Sequence, residues 1–266
     1  MISGVNIKNE IIKNKNHLFR SFLPESINNF HFQKIKKFKK FQTVIIIGMG
    51  GSILGSKAIY SFLKYKINKK FIFIDNLDQN FLAEIRKQNI LKKSLFLIIS
   101  KSGNTTETLI NLSFFKPYIK KSNIIIISEN TKNVLANYAR QKNYMFVSHN
   151  KFIGGRYSIF SEVGMLSAYL MGLNPAKFKK NILKNFNDDR LLSQLIQKLY
   201  KIKITKFKTV VLFNYVPELN DFMLWCQQLF AESLGKNSKG FVPIISIGPR
   251  DHHSLLQLYL DGPKNN

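Results

Sequence analysis

At 266 residues, with 45% hydrophobic and 13% aromatic content, the chain can bury a sizeable core and is too apolar to be disordered. Its formal charge of +26 would suit a nucleic-acid partner, but the lysines are scattered over every segment and only six arginines occur (Arg20, Arg86, Arg140, Arg156, Arg190, Arg250). Arginine makes the bidentate phosphate and base contacts, so no nucleic-acid surface is expected. No apolar run approaches the ~20 residues of a membrane span, the N-terminus lacks a signal-peptide core, and the single Cys226 leaves no intrachain disulfide or cysteine-rich metal site. A soluble cytoplasmic protein with no membrane contact is expected.

Residues 1–42 carry mixed helical patterns (Phe19, Phe22 and Leu23, then Ile27 and Phe30) and a basic run over 34–40, without nameable chemistry. A strand over 43–47 follows and ends in Gly48-Met49-Gly50-Gly51-Ser52, before a helix over 53–63. Next come a strand over 71–74, a helix opened by Asp78, a buried strand over 95–99 and a helix from Thr105 to about 118. A strand over 124–127, a helix over 131–141 and a short strand over 145–147 lead into Gly154-Gly155-Arg156. Strands alternating with helices predict a parallel sheet covered on both faces. Helices are expected over 161–170 and, as one or two pieces, over 175–199. The alternation then restarts with a strand at 210–213, a helix at 221–234, a strand at 242–247 and a helix from about His253. The expected fold class is α/β with two doubly wound, Rossmann-like αβα domains: a helical segment 1–42, a first domain 43–170, and a helical connection with part of a second domain 171–266. Two strands are too few for a stable open sheet, so the second domain is expected to be incomplete at its C-terminus.

Two turns at strand ends could hold an anion. Ser100-Lys101-Ser102-Gly103-Asn104-Thr105 stands where a strand passes into a helix N-terminus, whose unpaired N–H groups and positive dipole end favour negative charge. An ordinary capping box, a hydroxyl followed by Glu107, is the competing reading. Gly48–Ser52 allows close backbone approach but fits neither GxGxxG nor a P-loop, so a tight turn and a ligand loop both stay open. In open α/β sheets ligands bind outside the strand C-terminal ends, where both turns sit. On the helix after Asp221, Trp225, Leu229 and Phe230 make an apolar face, while Gln228 and Glu232 stand one turn apart; Glu232 read alone is a solvated surface charge. Asp251-His252-His253-Ser254 holds adjacent histidines without a third ligand group, which argues against a metal and leaves acid–base work or a structural histidine.

IGMGGSILG, SKSGNTTET, GGRYSIFSEVG, WCQQLFAESLGK and GPRDHHSLLQLYLDGP occur together and in order. The set resembles the phosphoglucose isomerases, which are built from two sugar-isomerase (SIS) domains. The resemblance implies interconversion of glucose 6-phosphate and fructose 6-phosphate through a cis-enediol, with no metal or other cofactor. By motif, Ser100, Lys101, Ser102 and Thr105 would bind the phosphate, and Gly51 and Ser52 would hold the sugar nearby. Gln228 and Gly155 would line the sugar site, Glu232 would shuttle the proton between C1 and C2, and Arg156 would stabilise the enediol oxygens. His253 would assist ring opening from the neighbouring subunit, which implies a homodimer. The alternatives are a non-catalytic sugar-phosphate-binding SIS regulator and an isomerase that also accepts mannose 6-phosphate. Family members continue beyond the DGP motif to a lysine active in ring opening, and Lys264 is too close to His253 to be that residue. A fragment of a longer protein is expected in preference to a decayed paralogue, because every motif present is intact.

Overall fold

Five short apolar runs build one parallel sheet: β1 Thr43–Ile47, β2 Lys70–Ile74, β3 Ser94–Ile99, β4 Ile124–Ser128 and β5 Met145–Ser148, in the order β2-β1-β3-β4-β5. The computed structural model describes residues 13–29, 32–185, 194, 197–198 and 207–263; Lys264 and part of the helical stretch expected over 175–199 lie outside them. β3 and β4 are buried along their whole length, as continuous Ile/Leu runs require when helices cover both faces. The period-2 alternation divides their side chains between two cores. Val44, Ile46, Leu95, Leu97, Ile125 and Ile127 face one way, and Ile45, Ile47, Phe96, Ile98, Ile124 and Ile126 face the other.

Two short helices, α1 His17–Ser21 and α2 Phe32–Lys36, precede the sheet among the described residues, and Ile35 of α2 enters the first core. α3 Leu54–Phe62 follows β1 on that face, where α7 Glu162–Leu170 joins it. On the opposite face lie α4 Gln79–Lys87, α5 Thr106–Phe115 and α6 Val134–Gln141. The doubly wound architecture expected for this region is therefore present. α6 starts at Val134, three residues later than the pattern predicts, because Asn133 Oδ1 accepts from Ala136 N at 2.8 Å and so acts as its cap. α8 Pro175–Asn185 follows α7.

A second parallel pair, β6 Thr209–Asn214 and β7 Val242–Ile247, is joined through α9 Asn220–Leu234. The chain then passes the cis Gly248–Pro249 peptide. The single helix expected from about His253 is instead two, α10 Arg250–Ser254 and α11 Leu256–Asp261, broken at Leu255, whose φ of −127° is not helical. α9 packs on α3 as well as on β7, and Trp225 reaches the first core. Of the apolar face predicted for α9, Phe230 departs: it is 37% exposed and meets Phe241 instead.

Candidate active site

The order β2-β1-β3 reverses the winding between β1 and β3, so connections leave these strands to opposite faces and open a crevice at their C-terminal ends. The two predicted ligand turns border that crevice. A Cβ on Gly48 would stand 2.9 Å from Ile99 O, so glycine lets the end of β1 lie against the end of β3.

The turn after β3 is held by its own side chains. Ser100 Oγ and Thr105 Oγ1 are hydrogen-bonded at 2.8 Å, Gly103 N donates to Ser100 Oγ at 3.1 Å, and Asn104 N donates to Ser102 Oγ at 3.2 Å. Gly103 has φ +69°, and a Cβ there would overlap the Asn133 side chain, so the turn is moulded onto the start of α6. Thr105 is the N-cap of α5 but its hydroxyl makes no capping bond. The capping-box reading therefore fails: the hydroxyl is engaged with Ser100 and makes no bond to the first-turn amides of α5. Lys101 does not point into this cradle. Its Nζ donates to Lys151 O at 2.9 Å and pairs with Glu129 Oε1 at 3.7 Å.

Gly51, Ser52, Gly155, Arg156, Gln228 and Glu232 are brought together from three separate stretches. A Cβ on Gly51 would collide with the Gly155 backbone and lie 2.5 Å from Arg156 N, and Ser158 Oγ donates to Gly51 O at 2.9 Å. The glycine turn after β1 and the Gly154–Phe160 segment are thus in backbone contact. Gly50, at φ +50°, leaves room for Gln228: a Cβ there would stand 2.9 Å from Gln228 Nε2. Ser52 N donates to Met49 O at 3.1 Å, closing the turn.

Arg156 joins this surface to α9. Its Nη1 donates to Glu232 Oε1 at 2.8 Å and its Nε to Ser233 Oγ at 2.9 Å, while Arg156 O accepts from Trp225 Nε1 at 2.9 Å. The Arg156 side chain is 14% exposed and that of Glu232 51%, so a half-buried cation faces an accessible carboxylate. Gln228 Nε2 donates to the other Glu232 oxygen at 3.2 Å, and Gln228 Oε1 is buried with no protein partner among the described residues. Tyr157 lies under the guanidinium at 4.5 Å and bonds Ser233 Oγ at 2.8 Å. That bond lowers the phenol pKa against the effect of burial, and Arg156 adds to the lowering. The sequence patterns pass over Tyr157 and Ser233, although each adjoins a predicted site residue. At the start of α9, Asp221 lies 3.8 Å from Lys57 Nζ and accepts from Ser61 of α3, fixing the helix that carries Glu232. Burial pushes the nearby Cys226 thiol up to about 11, so it stays protonated and a poor nucleophile at neutral pH.

His253 is apart from this group. It is exposed on α10, and no hydrogen bond joins it to Glu232 or Arg156 among the described residues. Its neighbour His252 bonds Tyr215 OH at 2.8 Å. Asp251 is buried and accepts from Ser246 Oγ, Ile247 N and Arg250 Nε; the Arg250 bond is the largest influence holding its carboxyl down at about 2. Among the described residues no group of three or more His, Cys, Asp or Glu could hold a metal ion, and no helix is long and apolar enough to cross a membrane.

The family profile for phosphoglucose isomerase matches residues 1–242. The chain belongs to the phosphoglucose isomerase family. The glucose-6-phosphate isomerase of Methanocaldococcus jannaschii is 38% identical over 252 residues, covering 88% of this chain and 61% of that protein. That of Acholeplasma laidlawii is 31% identical, covering 97% of this chain and 68% of that protein. A solved structure of a hypothetical protein from Thermus thermophilus superposes with a TM-score of 0.80 at 22% identity, covering 97% of this chain and 67% of that one, and so shares the fold. The chain spans about three fifths of the length of the first of these relatives. Arg156, Gln228 and Glu232 fall inside the stretch matched by the profile and His253 beyond it.

Proposed function

We propose that this chain carries most of the active site of an aldose–ketose isomerase that interconverts glucose 6-phosphate and fructose 6-phosphate through a cis-enediol. The observation that carries the reading is the Arg156–Glu232 pair, a half-buried cation and an exposed carboxylate at 2.8 Å beside the sheet crevice, in a chain of this family. The Ser100–Thr105 turn and the first-turn amides of α5 bind the phosphate dianion, whose remote binding energy orients the reacting carbons. Gly51, Ser52 and Gly155 let the sugar lie against backbone, and Gln228, bonded to Glu232, lines the sugar site beside the base.

Chemistry follows from the open-chain sugar. Glu232 takes the proton from C2 of the aldose, the C2 electron pair forms the C1–C2 double bond, and the carbonyl electrons move onto O1. Arg156 balances the charge on the enediol oxygens while its Nε stays on Ser233. Return of the proton to C1, with transfer of the O2 proton to O1, gives the ketose, so atoms and charge balance. Lys101, turned toward Glu129 and Lys151, contributes positive field to the phosphate end in place of a direct contact. The exposure of His253 fits a group that serves a second copy's site, and we infer a cytoplasmic homodimer in which it assists ring opening. Division into a helical segment 1–42, a first domain 43–170 and a second unit 171–266 belongs to the same proposal.

Glu232→Gln should reduce isomerisation by at least about a hundredfold, the lower end of what a positioned base contributes, while fructose 6-phosphate binding persists. Turnover retained in that variant would overturn the assignment of the base.

A further inference from the structure

The loop that bears Gly155 and Arg156 is tied at its neck by a buried acid that the proposed chemistry leaves unused. Glu162 opens α7 and is 4% exposed; His149, just after β5, is equally buried. Glu162 Oε1 is hydrogen-bonded to His149 Nδ1 and also accepts from Asn150 N at 2.8 Å. One carboxylate oxygen therefore joins the two ends of the loop, residues 149–150 on one side and 162 on the other. Inside the loop the backbone bonds are local: Ile153 N to Asn150 O, Tyr157 N to Gly154 O and Ser161 N to Ser158 O. These short turns leave the direction of Arg156 to longer-range ties: the neck, the Gly51 contact, and the bonds to Trp225, Glu232 and Ser233 on α9.

The titratable groups facing Glu162 come from two elements. His149 lies on the β5 side, and Lys179 of α8 is 1% exposed with its Nζ donating to Ser26 Oγ at 2.7 Å. Burial lowers Lys179 to about 8, and the Glu162 and Glu25 carboxylates oppose that shift. Burial would raise the Glu162 pKa, but His149 and Asn150 outweigh it and hold the group ionised. A single acid in an otherwise apolar helix, SEVGMLSAYL, is the sequence signal for this arrangement.

We propose that Glu162 is a positioning residue: through His149 and Asn150 it clamps the neck of the 149–162 loop and thereby fixes Arg156 at the sugar end of the site. The consequence for binding rests on the sugar-phosphate reading above; the clamp itself does not. Because the Ser100 cradle hangs on β3 and α5, loosening the neck should weaken contacts to the sugar and spare those to the phosphate.

The test measures affinity for fructose 6-phosphate and for inorganic phosphate, together with amide hydrogen exchange, in the whole chain. In Glu162→Gln, where neutral hydrogen bonds replace charge-assisted ones, fructose 6-phosphate affinity should fall about fivefold. Inorganic phosphate affinity should hold within about twofold, and exchange of amides 154–160 should quicken relative to β3 and β4. Glu162→Ala should show the same pattern more strongly; if it does not fold, Glu162→Gln decides. Unchanged loop exchange in Glu162→Gln, or equal weakening of both ligands, would overturn the proposal. Should the unaltered chain bind phosphate but not fructose 6-phosphate, the isomerase reading fails. Loop exchange alone then decides the clamp: faster in Glu162→Gln supports it, unchanged overturns it.

Discussion

The two sheets hold their loops in different ways. In the first, β3 and β4 are buried from end to end, with isoleucine and leucine packed on both faces. In the second, the buried strand residues are Asn214, Pro243 and Ser246, while Val242 and Ile244 are 62% and 37% exposed. The proposed phosphate cradle thus stands on a sheet whose central strands are buried on both faces. Glu232, the proposed base, stands on a helix that draws much of its support from the first unit: Trp225 enters the first core, and Asp221 is tied to Lys57 and Ser61 of α3. Placing a base on one unit and its cation on another makes their distance depend on that packing.

The contrast can be broken first by cavity creation. Ile126→Ala, in the fully buried β4, should cost about 2–5 kcal/mol of unfolding free energy. Val242→Ala on β7 should stay within about 0.5 kcal/mol, as exposed substitutions do. Urea denaturation of both variants compares the sheets directly; equal losses would mean the second sheet is as well packed as the first.

A smaller effect separates turn geometry from packing. Gly103→Ala must adopt φ +69° and also displace the Asn133 side chain, so it should cost about 1–3 kcal/mol and weaken phosphate binding. Gly172→Ala, at φ +90° in open space, should cost less, about 1 kcal/mol, and leave phosphate binding alone. Thermal unfolding with and without inorganic phosphate reads both.

Weaker still is the link between the units. Trp225→Phe keeps an aromatic ring in the first core but removes the indole donor to Arg156 O, leaving that carbonyl short of a partner. The expected loss is about 1 kcal/mol of stability, with a larger proportional loss of fructose 6-phosphate than of inorganic phosphate affinity. Binding by calorimetry checks the ratio.

The smallest effect is confined to acid. Asp251 titrates at about 2 in the folded chain against an ordinary value of 3.8, so the ionised form is the one that folding favours. Its contribution is present above pH 3.8 and fades as pH falls toward 2. Asp251→Asn should therefore flatten the acid limb of the stability profile below pH 3.8, measured by urea midpoints across that range.

Much of this arrangement is legible in the residues. Unbroken apolar runs such as Leu95–Ile99 mark buried strands, and glycine–hydroxyl turns behind them mark the crevice, because both depend on local pattern. One helix start was displaced by a local cap, Asn133, which delays α6, and Thr105 stands at the predicted helix start but turns its hydroxyl to Ser100. Arg156 and Glu232 read singly are solvated charges, and only the family's motif set joins them, since their contact spans separate units. Tyr157, Ser233 and the Glu162–His149 pair stayed hidden because partner choice in a buried polar cluster is settled by tertiary packing. A lone charge in an apolar helix was the available clue, and Glu162 carries it.

Glu232, held by Arg156, is the group proposed to exchange a sugar carbon proton. Incubating fructose 6-phosphate with the protein in deuterated water and following C1 by NMR tests it most directly. Deuterium should enter at C1 with the unaltered protein and enter at least about a hundredfold more slowly with Glu232→Gln. Exchange at the same rate in both proteins would contradict the account.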